Sequence, residues 1–289
     1  MFRLASLLRN NSISKGQRWL STRDTSNMAK FRESLKAAKG VAILSGAGIS
    51  AESGIPTFRG PEGYWRKWPP TLLASPRAFR DDPSLVWEFY HYRRELARKA
   101  KPNPGHKAIA HFEARHAKSK VVTVITQNVD ALHTRAGTKN IVELHGNLFK
   151  TKCTKCGDVA INIDSPICEA LRDRGAPDQD FKGSDIPIKD LPHCKKPDCG
   201  GLLRPFIVWF GEMLELSVME RADAAMTTCD VVLVVGTSSL VTPASLFAPM
   251  ASLRGAVVAE FNIAKTPATP DFSYYFEGPS GKTLPIALA

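Results

Sequence analysis

Four cysteines fall in two pairs, Cys153-x2-Cys156 and Cys194-x4-Cys199, with 37 residues between the pairs. Thiolates spaced in this way can converge on one zinc ion, and four sulfur ligands leave no open position at which water could be activated. Glycine follows each pair (Gly157; Gly200 and Gly201), which suits tight turns around a metal. One structural Zn2+ held by Cys153, Cys156, Cys194 and Cys199 is therefore expected, with His193 a loop neighbour and Cys168 and Cys229 bystanders. A second chemistry is suggested by Gly46-Ala47-Gly48-Ile49-Ser50-Ala51. Gly46, Gly48 and Ala51 fit the G-x-G-x-x-G/A pattern, in which glycines let backbone approach a pyrophosphate at a helix start. The ribose-binding acid that a dehydrogenase carries about 20 residues further on is missing. In its place stands Glu52-Ser53-Gly54-Ile55-Pro56-Thr57-Phe58-Arg59, a restricted loop that could cover a dinucleotide and reshape the site around its nicotinamide end.

Other polar groups cluster where apolar runs end. Gln127-Asn128-Val129-Asp130 offers two amides and an acid, which could orient a carboxamide and a ribose or could simply form a polar turn. Gly236-Thr237-Ser238-Ser239 offers small hydroxyls and backbone donors, and Asn262 could reach a second ribose. His145, in Glu143-Leu144-His145-Gly146, is the sharpest single candidate for chemistry. An imidazole that titrates near ~6.5 can take a proton at neutral pH, although a lone histidine is more often structural.

Positioning these groups requires a particular scaffold. Short β-branched runs at 41–44, 121–125, 141–144, 231–235 and 256–261 end in Gly, Asn or Ser, as strands buried on both faces of a parallel sheet do. Helical stretches at 28–39, 105–117 and 216–227 lie between them. This alternation predicts an α/β fold: a doubly wound, Rossmann-like parallel sheet domain with an inserted smaller zinc-binding and helical lobe. The sheet domain is expected at 28–60, 119–149 and 204–289, a helical insertion at 61–118 and the zinc lobe at 150–203. In the insertion, Asp82 and Pro83 start a helix whose apolar stripe is Leu85, Phe89, Tyr92 and Leu96. Tyr90 and Arg93 fall on the neighbouring stripe, partway toward solvent, side by side at a spacing of three.

The 289 residues carry a formal charge of +11, but Arg3, Arg9, Lys15, Arg18 and Arg23 precede the first acid, Asp24. An Arg- and Ser-rich, acid-poor start reads as a mitochondrial transit peptide over residues 1–27, cleaved between Arg18 and Met28. The matrix is the expected compartment, with a cytosolic or nuclear pool where the leader is skipped. The rest of the chain is only modestly basic and shows no basic–aromatic stripe, so no nucleic-acid partner is expected. No apolar run approaches the ~18 residues of a membrane span, so no membrane insertion is expected.

Taken together, Gly46-Ala47-Gly48-Ile49-Ser50, Gly54-Ile55-Pro56-Thr57-Phe58-Arg59, Gln127-Asn128-Val129-Asp130, His145-Gly146, the four cysteines and Gly236-Thr237-Ser238 resemble the sirtuin family in order and spacing, over about residues 28 to 289. The resemblance implies NAD and an acyl-lysine protein or peptide meeting in a cleft between a large and a small domain, with nicotinamide and O-acyl-ADP-ribose as products. It implies that His145 is the base toward a ribose hydroxyl, that Ser50, Asn128 and Asp130 hold nicotinamide and ribose, and that Phe58 shields the reacting carbon. Ala47, Arg59, Gln127, Gly236, Thr237, Ser238, Asn262 and Ser280 complete the implied cofactor contacts. Two departures stand out. Ile263-Ala264 follows Asn262 where relatives often carry an acid, and Ser280 replaces a cysteine of close relatives.

Tyr90, Arg93 and Ala74 resemble the mitochondrial class III branch, which prefers malonyl-, succinyl- and glutaryl-lysine. A terminal carboxylate could pair with Arg93, with Tyr90 adding a hydrogen bond and Ala74 leaving room. The peptide is expected as an extended strand along residues 207–212, with Val208 and Phe210 lining the acyl-lysine channel. A plain deacetylase or a mono-ADP-ribosyltransferase of the same family is the alternative, and a monomer is expected.

Overall fold

The β-branched runs pair side by side in parallel. The computed structural model describes residues 26–57, 64–177 and 184–289; the leader up to residue 25 and the expected contacts Phe58 and Arg59 lie outside the described residues. The strands are β1 (Gly40–Ser45), β2 (Val121–Thr126), β3 (Ile141–Glu143), β4 (Gly146–Cys153), β5 (Val159–Ile161), β6 (Leu203–Ile207), β7 (Val231–Val235), β8 (Val257–Asn262) and β9 (Tyr274–Glu277). The helices are α1 (Met28–Ala37), α2 (Ala47–Ala51), α3 (Pro70–Leu73), α4 (Pro76–Asp81), α5 (Pro83–Lys99), α6 (Pro104–His116), α7 (Leu132–Ala136), α8 (Leu216–Thr228), α9 (Ala244–Leu253) and α10 (Ser280–Ala287).

The large sheet has the order β3-β2-β1-β7-β8-β9, with every neighbouring pair parallel. Side chains alternate across it, as the two-residue strand period demands. Val41 and Ile43 join Phe31, Ile109 and Leu284 in the core under α1, α6 and α10. Ala42 and Leu44 join Ala222, Met226 and Phe247 under α8 and α9. The five strands expected from the sequence are all present. β9 is additional: four residues flanked by Ser273 and Gly278 are too few for a periodicity signal, and Tyr274 and Phe276 are held there by packing on Phe31.

The second sheet, β5-β4-β6, is small and antiparallel. It runs from Gly146 to Ile207, a few residues wider at each end than the composition indicated, because β4 leaves the large sheet directly after β3. A third core lies between this lobe and α5, centred on Trp87, Phe89, Tyr90, Leu171 and Trp209. Asp82 caps α5 as expected, accepting from the Leu85 amide at 2.9 Å.

The faces of α5 are not distributed as its stripe suggested. Val86, Tyr90 and Ala97 are buried, whereas Leu85, Tyr92 and Leu96 are only partly so. The helix is clamped between two lobes and therefore buries more than one stripe. Arg94 is the clearest sign of this. It is buried and donates to the carbonyls of Leu148, Asn162 and Asp164 and to Asn162 Oδ1, tying α5 to the small sheet and to the turn beyond β5.

Candidate active site

Strands β1, β2, β7 and β8 all point their carboxyl ends at one cleft. In an open α/β sheet the crevice lies where the chain order reverses, here between β1 and β7. A cavity of about 890 Å³ opens at that point, within the ordinary size range of a small-molecule site. Gly46, Ala47, Gly48, Ser50, Gln127, Asn128, Asp130, His145, Gly236, Thr237, Ser238 and Asn262 all line it, and so do Ala74, Tyr90, Arg93, Val208 and Phe210. Ser280 does not. It is buried at the first turn of α10, where its carbonyl abuts Gly105.

The glycines of the β1 and β7 loops allow those loops to touch. Gly46 N donates to Val235 O at 2.9 Å and Gly48 N to Gly236 O at 2.8 Å. A Cβ on Gly48 would lie 2.7 Å from Gly236 O, so no larger residue fits without separating the loops. Gly236 has φ +56°, and a Cβ there would fall 2.4 Å from Ile49 N. The gap between the strands therefore stays lined by backbone, which can approach a phosphate closely.

The polar side chains of the cleft form one linked set. Asn128 Nδ2 donates to Gly46 O at 2.9 Å and to Ser50 Oγ at 3.1 Å. The Ser50 hydroxyl donates to Asp130 Oδ2 at 2.7 Å, and Asp130 Oδ1 accepts from Leu132 N at 2.8 Å. Burial raises the Asp130 pKa, while these two donors and the Arg93 charge oppose the rise. Gln127 Nε2 donates to Thr237 Oγ1 at 3.1 Å, and Asn262 Nδ2 to Thr237 O at 2.8 Å, so three strand-end loops brace one another. Beneath them lies a contact that no motif in the chain signals: Ser45 Oγ donates to Thr126 Oγ1 at 2.9 Å and lies 2.9 Å from His133 Nε2. His133 lies three residues beyond Asp130, outside the strand-end motif, and has no distinguishing neighbour in the chain.

His145 occupies the two-residue joint between β3 and β4, where the chain passes from the large sheet to the small one. Its Nδ1 lies 3.1 Å from Gln127 O. A carbonyl can only accept, so the neutral ring carries its proton on Nδ1 and keeps a lone pair at Nε2. Burial lowers the pKa from 6.5, with the Gln127 hydrogen bond acting in the opposite direction. A group depressed in this way is neutral, and hence basic, above its pKa. Activity that depends on it should be level near neutral pH and fall as pH drops through a value below 6.5, which a kcat/KM pH profile will show.

A different chemistry lies on another part of the cavity wall. Tyr90 is buried, accepts from Trp209 Nε1 at 2.9 Å, and its pKa is pushed up to about 12, chiefly by burial. Arg93, one turn along α5, has its guanidinium 5.5 Å from the Phe89 ring centroid. Burial lowers the Arg93 pKa, opposed by Tyr90, Asp130 and Tyr92. Ala74, at the end of α3, accepts from Phe210 N at 2.9 Å, and Val208 N donates to His145 O at 3.0 Å. Residues 207–212 are thus fastened along one side to α3 and to the histidine joint.

The four cysteines cluster at the far end of β4. Cys153 and Cys199 sulfurs are 3.6 Å apart and those of Cys156 and Cys194 are 3.9 Å apart, with all four ligand atoms within 4.8 Å of one another. Zn–S bonds of about 2.3 Å place tetrahedral sulfurs about 3.8 Å apart, so the donor set fits one zinc ion. A Cβ on Gly201 would lie 2.8 Å from Cys153 Sγ, which accounts for glycine beside this knuckle. One zinc per chain is expected by elemental analysis, and Cys156→Ser should remove it and lower the thermal midpoint without creating a metal-dependent activity.

A doubly wound sheet with a glycine-lined switch point, a basic histidine in the cleft and a four-cysteine lobe defines a dinucleotide-using enzyme of two unequal domains. Residues 46–243 match the profile of the Sir2 family. A protein named NAD-dependent protein deacylase sirtuin-5, mitochondrial, from Canis lupus familiaris is 59% identical over 92% of this chain and 86% of its own. The protein of that name from Danio rerio is 56% identical over 92% and 88%. A Sir2 homolog–NAD complex superposes with a TM-score of 0.77 at 39% identity, covering 91% of this chain and 93% of the other. The chain belongs to the Sir2 family.

Proposed function

We propose that this protein is an NAD-dependent protein-lysine deacylase that removes acidic acyl groups: malonyl, succinyl and glutaryl. The observation that carries the reading is the pairing of Tyr90 and Arg93 on the wall of the cavity that also contains His145. A guanidinium and a phenol stand there among Trp65, Phe89, Leu148 and Trp209. A half-buried cation in such surroundings is poorly matched to a methyl group and well matched to a carboxylate.

Bound NAD supplies a departing nicotinamide and a ribose that accepts the acyl group. The chain's own part is to hold and to exclude. The Gly46, Gly48 and Gly236 backbone accommodates the phosphates, and the Asn128–Ser50–Asp130 chain orients the nicotinamide end. Thr237 and Asn262 stand on the adenosine side. His145 Nε2 takes a ribose hydroxyl proton, with its ring held by Gln127 O. The substrate lysine enters past Val208 and Phe210, and Arg93 with Tyr90 receives the far carboxylate.

The relatives quoted above carry "mitochondrial" in their names, and the cation-rich start of this chain supports the same address. A solved Sir2–p53 peptide–NAD+ complex, 28% identical with a TM-score of 0.73, supports a protein segment as substrate. Among the described residues no helix is long and apolar enough to cross a membrane. The test is turnover of matched acetyl-, malonyl-, succinyl- and glutaryl-lysine peptides with and without NAD. Nicotinamide release that favours the acidic acyl groups is expected; equal rates for acetyl and succinyl would overturn the reading.

A further inference from the structure

The Tyr90 hydroxyl is not left to choose its own direction. A phenol has one proton and two in-plane positions for it. One of these faces Trp209 Nε1, 2.9 Å away. An indole N–H donates and cannot accept, so the phenol must accept on that side and its proton is turned to the other. Accepting a hydrogen bond also polarises the O–H and strengthens it as a donor.

Trp209 is itself held with unusual thoroughness for a loop residue. The Arg204 guanidinium carbon lies 3.5 Å from its ring centroid, and the Phe79 ring centroid is 5.3 Å away. Arg204 reaches both carboxylate oxygens of Glu212, at 2.6 and 2.8 Å, and Glu212 Oε2 accepts the Trp209 backbone N–H at 2.9 Å. Arg204 comes from β6, while Trp209 and Glu212 come from the turn that follows it, so the arrangement closes on itself. Trp209 is 3% exposed. A ring packed against Arg204 and Phe79 and tied at its own amide has the direction of its N–H fixed.

We propose that Trp209, clamped by Arg204 and Glu212, is a specificity-determining positioning residue: it turns the Tyr90 proton toward the terminal carboxylate of an acidic acyl-lysine. This rests on the acidic-acyl reading of the site given above. An acetyl group has no terminal acceptor, so the orientation of the phenol matters only for the longer, charged acyl chains.

The experiment is a double-variant cycle read as the succinyl-to-acetyl ratio of kcat/KM. Trp209→Phe, which keeps an aromatic ring and removes the N–H, should lower that ratio about fivefold, through KM for the succinyl peptide more than through kcat. In a Tyr90→Phe background the same change should alter the ratio less than about twofold, because the hydroxyl it acts through is gone. A merely structural role would lower the ratio equally in both backgrounds, and that result, or an unchanged ratio for Trp209→Phe alone, overturns the proposal. Where Trp209→Phe does not fold, Glu212→Gln loosens the clamp from Arg204 and is expected to lower the ratio in the same non-additive way. If Arg93→Met and Tyr90→Phe both leave the ratio unaltered, the acidic-acyl reading itself fails. If they lower it and Trp209→Phe does not, only the role of Trp209 fails.

Discussion

His145→Tyr is expected to reduce deacylation by a factor of about 10² to 10⁴, the span that a positioned general base contributes. A phenol that ionises near ~10 holds its proton at neutral pH and offers no comparable base. The substitution leaves the glycine loops and the Asn128–Ser50–Asp130 chain in place, since none of those bonds involves the histidine side chain. NAD affinity should therefore stay near that of the parent protein. Titration calorimetry with NAD, alongside single-turnover release of free lysine peptide, separates the two effects. Undiminished turnover would remove His145 from the mechanism. Loss of NAD binding in step with activity would make it a cofactor contact instead.

Arg93→Met should reduce kcat/KM for a succinyl-lysine peptide roughly 10- to 100-fold and leave acetyl-lysine turnover equal or improved. A hydrogen bond to a charged partner is worth about 1.5–3 kcal/mol, and each 1.4 kcal/mol is about tenfold. Burial disfavours the Arg93 charge, as the lowering of its pKa indicates, with the fields of Tyr90, Asp130 and Tyr92 acting in the opposite direction. An arriving carboxylate relieves that penalty, whereas an acetyl methyl group does not. Methionine is apolar and similar in length, so it removes the charge with little change in cavity shape. An equal loss for both peptides would show that Arg93 supports the fold of α5 and not the choice of acyl group. The same assay across malonyl, succinyl and glutaryl chains measures how far the cation lies from the lysine end.

The parts of this protein that were legible in its sequence are those in which nearby residues determine the outcome. Strands buried on both faces are apolar along their whole length and rich in β-branched residues, so 41–44 and 231–235 are legible directly. Thiolate pairs with two and four residues between their members, and glycines at Gly46 and Gly48, follow from the geometry of a metal and of touching loops. His145 stood out because it precedes a glycine at a strand end. What the chain order could not convey was which distant groups meet. The approach of the β7 loop to the β1 loop, the burial of Arg94 against the turn beyond β5, and the hydrogen bond from Trp209 to Tyr90 join residues 188, 68 and 119 positions apart. The burial of Tyr90 was misjudged for the same reason: amphipathic spacing reports one buried face, and a helix held between two lobes has more than one. Local spacing thus determined the elements and the chemical kinds of residue available. Packing between lobes decided which polar groups lost their water, and a group's charge and hydrogen-bond direction depend on that loss.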